Sequence, residues 1–145
     1  MSIEEYVGWI AARAPDTEPI ARIGLGLVIL FAGVHKLLDP AAWAVYVGPL
    51  LEAVLPVSPV TFMLINGVLE PPFAIALLVD RYTVFAAAFV TLSLAVTTLY
   101  IALLGLTTGR FVDVLIRDLG LTALAATVTI RAAVKWTSDP AGPMR

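Results

Sequence analysis

Apolar residues run in four long stretches, separated by short clusters of proline, glycine and charge. They cover about 19–38, 59–79, 83–106 and 111–134, near the ~20 residues needed to cross ~30 Å of hydrocarbon. Pro15-Asp16-Thr17-Glu18-Pro19 sets up the first helix, with Asp16 or Thr17 as its cap, and Asp39-Pro40 ends it. Asp80-Arg81 makes a tight charged turn, and Thr107-Thr108-Gly109-Arg110 forms the next loop. Between Ala41 and Pro56, Trp43, Tyr46, Gly48-Pro49 and Glu52 leave too broken a pattern for a span. An interfacial or re-entrant element suits the aromatic pair. Before the first span, Ile3, Tyr6, Val7 and Ile10 fall on one helical face, which predicts an interfacial leader over 1–15. Residues 137–145 read as a polar tail. The pattern therefore predicts one all-α domain over 1–145: an integral membrane four-helix bundle with interfacial elements.

At ~100° per residue, Arg22, Gly26, Ile29, Gly33 and Lys36 share one arc of the first helix. Gly26 and Gly33 let a neighbouring helix come close, so this is the packed face. On the second helix, Asn66, Gly67 and Glu70 share a face, and Pro71-Pro72 predicts a kink just beyond it. On the third, Ser93, Thr97 and Tyr100 form a polar stripe. On the fourth, Asp113 and Arg117 are an i,i+4 pair of opposite sign, and Asp118 lies ~100° round from Arg117.

Composition agrees with the pattern: 60% of residues are hydrophobic and 14% charged, with a mean hydropathy of +0.95. Soluble domains carry about a quarter charged residues. A net charge of −2 with nine Lys and Arg provides no basic patch for nucleic acid. The absence of cysteine excludes thiol–disulfide exchange, structural disulfides and an iron–sulfur cluster held by this chain alone. Met1–Pro15 lacks the basic n-region and long h-region of a signal peptide. Four spans put both termini on one side with Arg13, Arg22, Arg81, Arg131, Lys135 and Arg145, against Lys36, Arg110 and Arg117 on the other. That bias predicts cytoplasmic termini in the cell membrane.

The ionisable groups carry the candidate chemistry. Glu70 and Asn66 lie about eleven and seven residues in from the outer end of their helix, and Arg117 and Asp118 about six or seven. Lys36 and Tyr100 are near the same end of theirs. A carboxylate at such depth costs several kcal/mol unless paired, and intramembrane ionisable residues point to function by default. The expected pairs are Glu70 with Arg117, and Lys36 with Asp118 or Asp113, with neutral hydrogen bonds from Asn66 and Tyr100. The alternative is that such pairs only fix helix register. Arg22, near the cytoplasmic end, is expected to snorkel to headgroups. His35 alone makes a poor metal site, and Ser93 has no base beside it in sequence.

Arg22-x-x-Leu25-Gly26, Gly33-x-x-Lys36, Gly67-x-x-Glu70 and Arg117-Asp118-Leu119 together resemble the DoxX family of small four-helix membrane proteins, over about 19–133. The resemblance implies a small subunit of a membrane oxidoreductase, the family being named from a thiosulfate:quinone oxidoreductase, with relatives linked to oxidative-stress and thiol-redox complexes. It implies no covalent cofactor. Two features depart from it: the cysteine pairs of thiol-active relatives are missing, and Pro71-Pro72 replaces a smoother apolar continuation. Three functions follow for Glu70 and its neighbours. The first is a quinone- or quinol-handling subunit whose redox centre sits on a partner. The second is a scaffold for redox enzymes. The third is a proton-coupled carrier, which with four spans would need a homo-oligomer.

Overall fold

The computed structural model describes residues 1–138, and every regular element in them is helical. The elements are α1 (Ile3–Ala11), α2 (Thr17–Leu38), α3 (Pro40–Ala44), α4 (Pro49–Glu52), α5 (Pro59–Leu78), α6 (Thr83–Thr108) and α7 (Val112–Ser138). Three of the four long helices, α2, α5 and α6, are long and apolar enough to cross a membrane. α7 has the length, at 27 residues, but Asp113, Arg117, Asp118, Arg131 and Lys135 interrupt it.

Local chemistry fixes the helix ends. Ser2 and Glu5 form a reciprocal capping box on α1. Asp16 accepts from the Glu18 N–H to start α2, and Ser58 accepts from the Thr61 N–H to start α5, which has Pro59 at its first position. α6 ends at Gly109, whose φ of 69° is the left-handed conformation glycine adopts without strain. α7 runs past the expected span end at 134 and into the stretch expected as a tail. Thr137 and Ser138 both donate to the Val134 carbonyl, and Lys135 sits favourably at the negative end of the helix dipole. The rest of that tail, 139–145, lies outside the described residues.

The bundle is built from two tight pairs. α2 packs mainly on α5 and α6 on α7, and the pairs meet along α5–α6 and α2–α7. Glycine sets the first approach. A Cβ on Gly33 would stand 2.9 Å from Pro71 Cδ, one on Gly67 3.1 Å from the Gly33 carbonyl oxygen, and one on Gly26 3.0 Å from Leu78 Cδ2. A larger residue at Gly33 would push Pro71 aside, and at Gly26 or Gly67 the facing leucine and backbone would have to give. α5 continues unbroken through Pro71 and Pro72. Each lacks an N–H, so the carbonyls of Gly67 and Val68 lose their intrahelical donors. The second pair is joined by hydroxyls, Thr91 to Thr129 and Thr98 to Thr122, each at 2.9 Å.

Two apolar clusters divide the bundle by depth. The larger contains Leu25, Ile29, Ala74, Leu77, Ala87, Val90, Ala125 and Val128, toward the end at which α2 begins and α7 ends. The smaller contains Ile101, Leu104 and Val114, with Tyr46 and Phe111 against it, at the opposite end. The broken stretch between α2 and α5 folds over that opposite end. α3 packs on α2 and α5, Val47 and Gly48 are buried, and Tyr46 meets Phe111 edge to face at 5.0 Å. No residue of α1 is buried.

Candidate functional site

Between the two clusters lies the polar centre of the molecule. Lys36 of α2 reaches across the close contact with α5, and its Nζ meets Glu70 Oε1 at 2.5 Å. The pair is largely buried, with side-chain exposures of 10% and 16%. Gly33, one turn before Lys36, and Gly67, one turn before Glu70, bring the backbones close enough for this contact. Trp43 of α3 lies over the ammonium at 4.6 Å from its ring centroid. Its indole N–H donates to His35 Nδ1 at 2.7 Å, which fixes the ring. Glu70 Oε2 is buried without a hydrogen-bond partner.

The second pair lies on α7. Arg117 Nε donates to Asp118 Oδ1 at 2.9 Å. The carboxylate is buried, at 6% exposure, while the arginine is 51% exposed. Only Nε is committed, so among the described residues the terminal nitrogens of the guanidinium fork have no partner.

Two adjoining cavities surround these pairs, about 170 and 300 Å³ in volume. Both are lined by Lys36, Trp43, Glu70, Ser93, Thr97, Arg117 and Asp118. The smaller is also lined by Phe73 of α5 and Phe89 of α6, which stack on each other with centroids 3.8 Å apart. The larger extends past Asn66, Met63, Tyr100 and Val114 toward α3 and α4. The walls are mostly hydrocarbon and aromatic ring, with a few convergent polar groups, as in small-molecule sites.

The expected members of the site come together, but their pairing differs. Glu70 meets Lys36 rather than Arg117, because the glycine contact sets α2 against α5 and leaves α7 across the cavity. Arg117 turns to its sequence neighbour Asp118, not to Asp113, which is exposed and outside the cavity. Asn66 lines the larger cavity, yet its amide donates to the Phe62 carbonyl of its own helix at 2.8 Å. The Tyr100 hydroxyl accepts from the Gly48 N–H at 2.6 Å, so it anchors the stretch before α4.

Arg22 also departs from expectation. It does not snorkel to headgroups but is buried at 7% exposure. Its guanidinium donates to the Leu77 carbonyl and, at 3.3 Å, to the Leu78 carbonyl, while Nε lies 3.2 Å from Glu18 and 3.5 Å from Asp80. The last carbonyls of α5 have no donor in their own helix, and a cation beside them satisfies both the bonds and the dipole. Asp80 also accepts from Thr83 and Lys135. Trp43, Ser93 and Thr97 are the site residues that sequence reasoning left out. Trp43 reads equally well as an interface anchor, and only the α6 stripe hinted at the hydroxyls.

The DoxX family model matches residues 19–103, more than half of the chain. That region contains Arg22, Lys36, Glu70, Ser93 and Thr97, while Arg117 and Asp118 lie beyond it. Neither a curated protein nor a solved structure matches the chain.

Proposed function

This chain belongs to the DoxX family of membrane proteins, and on that premise we propose that it is a quinone- or quinol-associated small subunit of a membrane redox complex. One observation carries the reading: the Lys36–Glu70 and Arg117–Asp118 pairs share an apolar-walled cavity rather than a solid core. The donor set fits a quinone ring. Arg117 has uncommitted N–H groups for a ring oxygen, and Phe73 and Phe89 offer flat apolar contact. Glu70, held by Lys36, is the group that would exchange a proton with a bound head group. A quinone would supply the two-electron chemistry, and the electron donor would sit on a partner subunit.

In this reading α7 is the fourth span, with Arg117 and Asp118 at the cavity and Arg131 and Lys135 near the inner surface. α1 lies in the interface, apolar face toward lipid, and α3 and α4 cover the outer mouth. Both termini are cytoplasmic and the membrane is the cell membrane. A scaffold role is the second reading, favoured by Arg22, a buried charge whose partners are all structural. A carrier, or a homo-oligomer built for transport, has less support, since the larger apolar cluster closes the bundle below the cavity.

Thermal unfolding of the purified protein in detergent, titrated with a short-chain quinone and its quinol, tests the reading. Binding raises the midpoint in proportion to the logarithm of ligand concentration. Glu70→Gln combined with Arg117→Gln should weaken binding by at least about tenfold, as expected for losing one charge-assisted hydrogen bond. An unchanged midpoint with every quinone and quinol tried would leave the scaffold reading in its place.

A further inference from the structure

Hydroxyls inside membrane helices ordinarily bond to a carbonyl one turn back, since few other acceptors are within reach. α6 and α7 follow this rule closely. Thr91 and Thr129 place their two hydrogens among the Ala87 carbonyl, the Ala125 carbonyl and each other; Thr122 donates to Asp118 and Thr127 to Ala123. Thr98 meets Thr122, Thr83 meets Asp80, and Thr107, Thr108, Thr137 and Ser138 all bond to their own helix. Among the described residues of these two helices, only the hydroxyls of Ser93 and Thr97 have no protein partner. They are four apart, so they share a face of α6, and both line both cavities together with the ion pairs.

We infer that Ser93 and Thr97 are the specificity-determining contacts of this cavity, and that they select an uncharged head group bearing a carbonyl or hydroxyl oxygen. The inference rests on the ligand-binding reading above. Two features define the chemistry. Lys36 is matched by Glu70 and Arg117 by Asp118, so a charged head would add an uncompensated charge to a low-dielectric site. A hydroxyl can also donate or accept, so the same two residues serve a carbonyl and a hydroxyl. The ion pairs hold the charge balance, while α6 reads the head group.

The geometry also supplies a test that spares the fold. Ser93→Ala and Thr97→Val remove the hydroxyls with little change in volume, and no protein partner is orphaned. The full-length protein in detergent is titrated with an uncharged short-chain quinol and with decanoate as the charged probe, following thermal unfolding and tryptophan fluorescence. The wild type should respond to the quinol and not to decanoate. The double variant should unfold at the wild-type temperature yet bind the quinol about tenfold more weakly, as two lost hydrogen bonds imply. Thr97→Ser should keep the affinity. Thr98→Val, which lines neither cavity, should lower stability and leave affinity alone. If the double variant binds the quinol as tightly as the wild type, the inference falls and the quinone reading stands. A stronger response to decanoate overturns the uncharged class. If the wild type responds to no uncharged probe, the ligand reading fails and this inference fails with it.

Discussion

The two ends of the bundle use the same residue types for opposite purposes. At the end where α2 begins, Arg22, Glu18, Asp80 and Lys135 close on one another and on the last carbonyls of α5. The larger apolar cluster packs directly beside them. In the other half, Lys36, Glu70, Arg117 and Asp118 also form pairs, but around open volume, with an arginine fork and two hydroxyls uncommitted. A charge within a membrane helix is therefore not by itself a sign of a site. What distinguishes the ends is where the spare hydrogen-bonding capacity goes: into helix termini at one, into a cavity at the other.

Arg22→Met would test the closed end with the largest effect. It takes the guanidinium donor from the Leu77 and Leu78 carbonyls and the cation from beside Glu18 and Asp80, and should cost about 3 kcal/mol, the size of breaking one side of a buried charged contact. The comparison is with Lys36→Met combined with Glu70→Gln, which removes both charges of the open pair together. Such joint removal is expected to cost less, because no charge is left uncompensated. Equal losses in denaturant unfolding would erase the distinction between the ends.

Acidification is the next, smaller test. Burial pushes Asp80 upward, but the Thr83 hydroxyl, the Lys135 ammonium and the Arg22 charge outweigh it and hold the carboxyl below its ordinary 3.8. A carboxyl depressed in the folded state contributes stability that is present above its unfolded pKa and lost as pH falls through the folded one. The unfolding midpoint should therefore hold from neutral pH to about 5 and fall below about 4. Asp80→Asn should flatten that acid limb. Asp80 is partly exposed, with 37% of its side chain accessible, so solvent screening keeps the effect modest. An acid limb equally steep in Asp80→Asn would place its origin outside the closed end.

Much of this contrast was legible in the sequence, because periodicity and glycine placement act locally. The helix starts came from Asp16 and Pro59, and the packed face of α2 from Gly26 and Gly33, though not which helix would meet it. The convergence of Lys36, Glu70, Arg117 and Asp118 followed from depth alone. Pairing was not legible, since it depends on how each helix is rotated against its neighbours, and one sequence carries no record of that. Arg22 illustrates the same limit. Lipid headgroups and the carbonyls of a neighbouring helix end satisfy a guanidinium equally well, and only the packed structure distinguishes them. Tyr100 found its partner in the backbone N–H of Gly48, a group present in every residue but proline, so no side-chain pattern could announce it.

The smallest effect belongs to the hydroxyls, and it sharpens the comparison most. Thr122 donates its one hydrogen to the Asp118 carbonyl at 2.7 Å, so Thr98 must be the donor in the 2.9 Å contact between them. Thr98→Val removes that bond without stranding a hydrogen, because Thr122 keeps its own acceptor. The loss should be about 0.6 kcal/mol, the mean for interhelical hydrogen bonds in membrane proteins. Thr122→Val should cost no more, since Thr98 can then donate to the Leu94 carbonyl one turn back. Ser93→Ala, with no partner to lose, should cost close to nothing in the same unfolding assay. If Ser93→Ala costs as much as Thr98→Val, the Ser93 hydroxyl is part of the architecture, and the open half of the bundle has less spare capacity than its cavity implies.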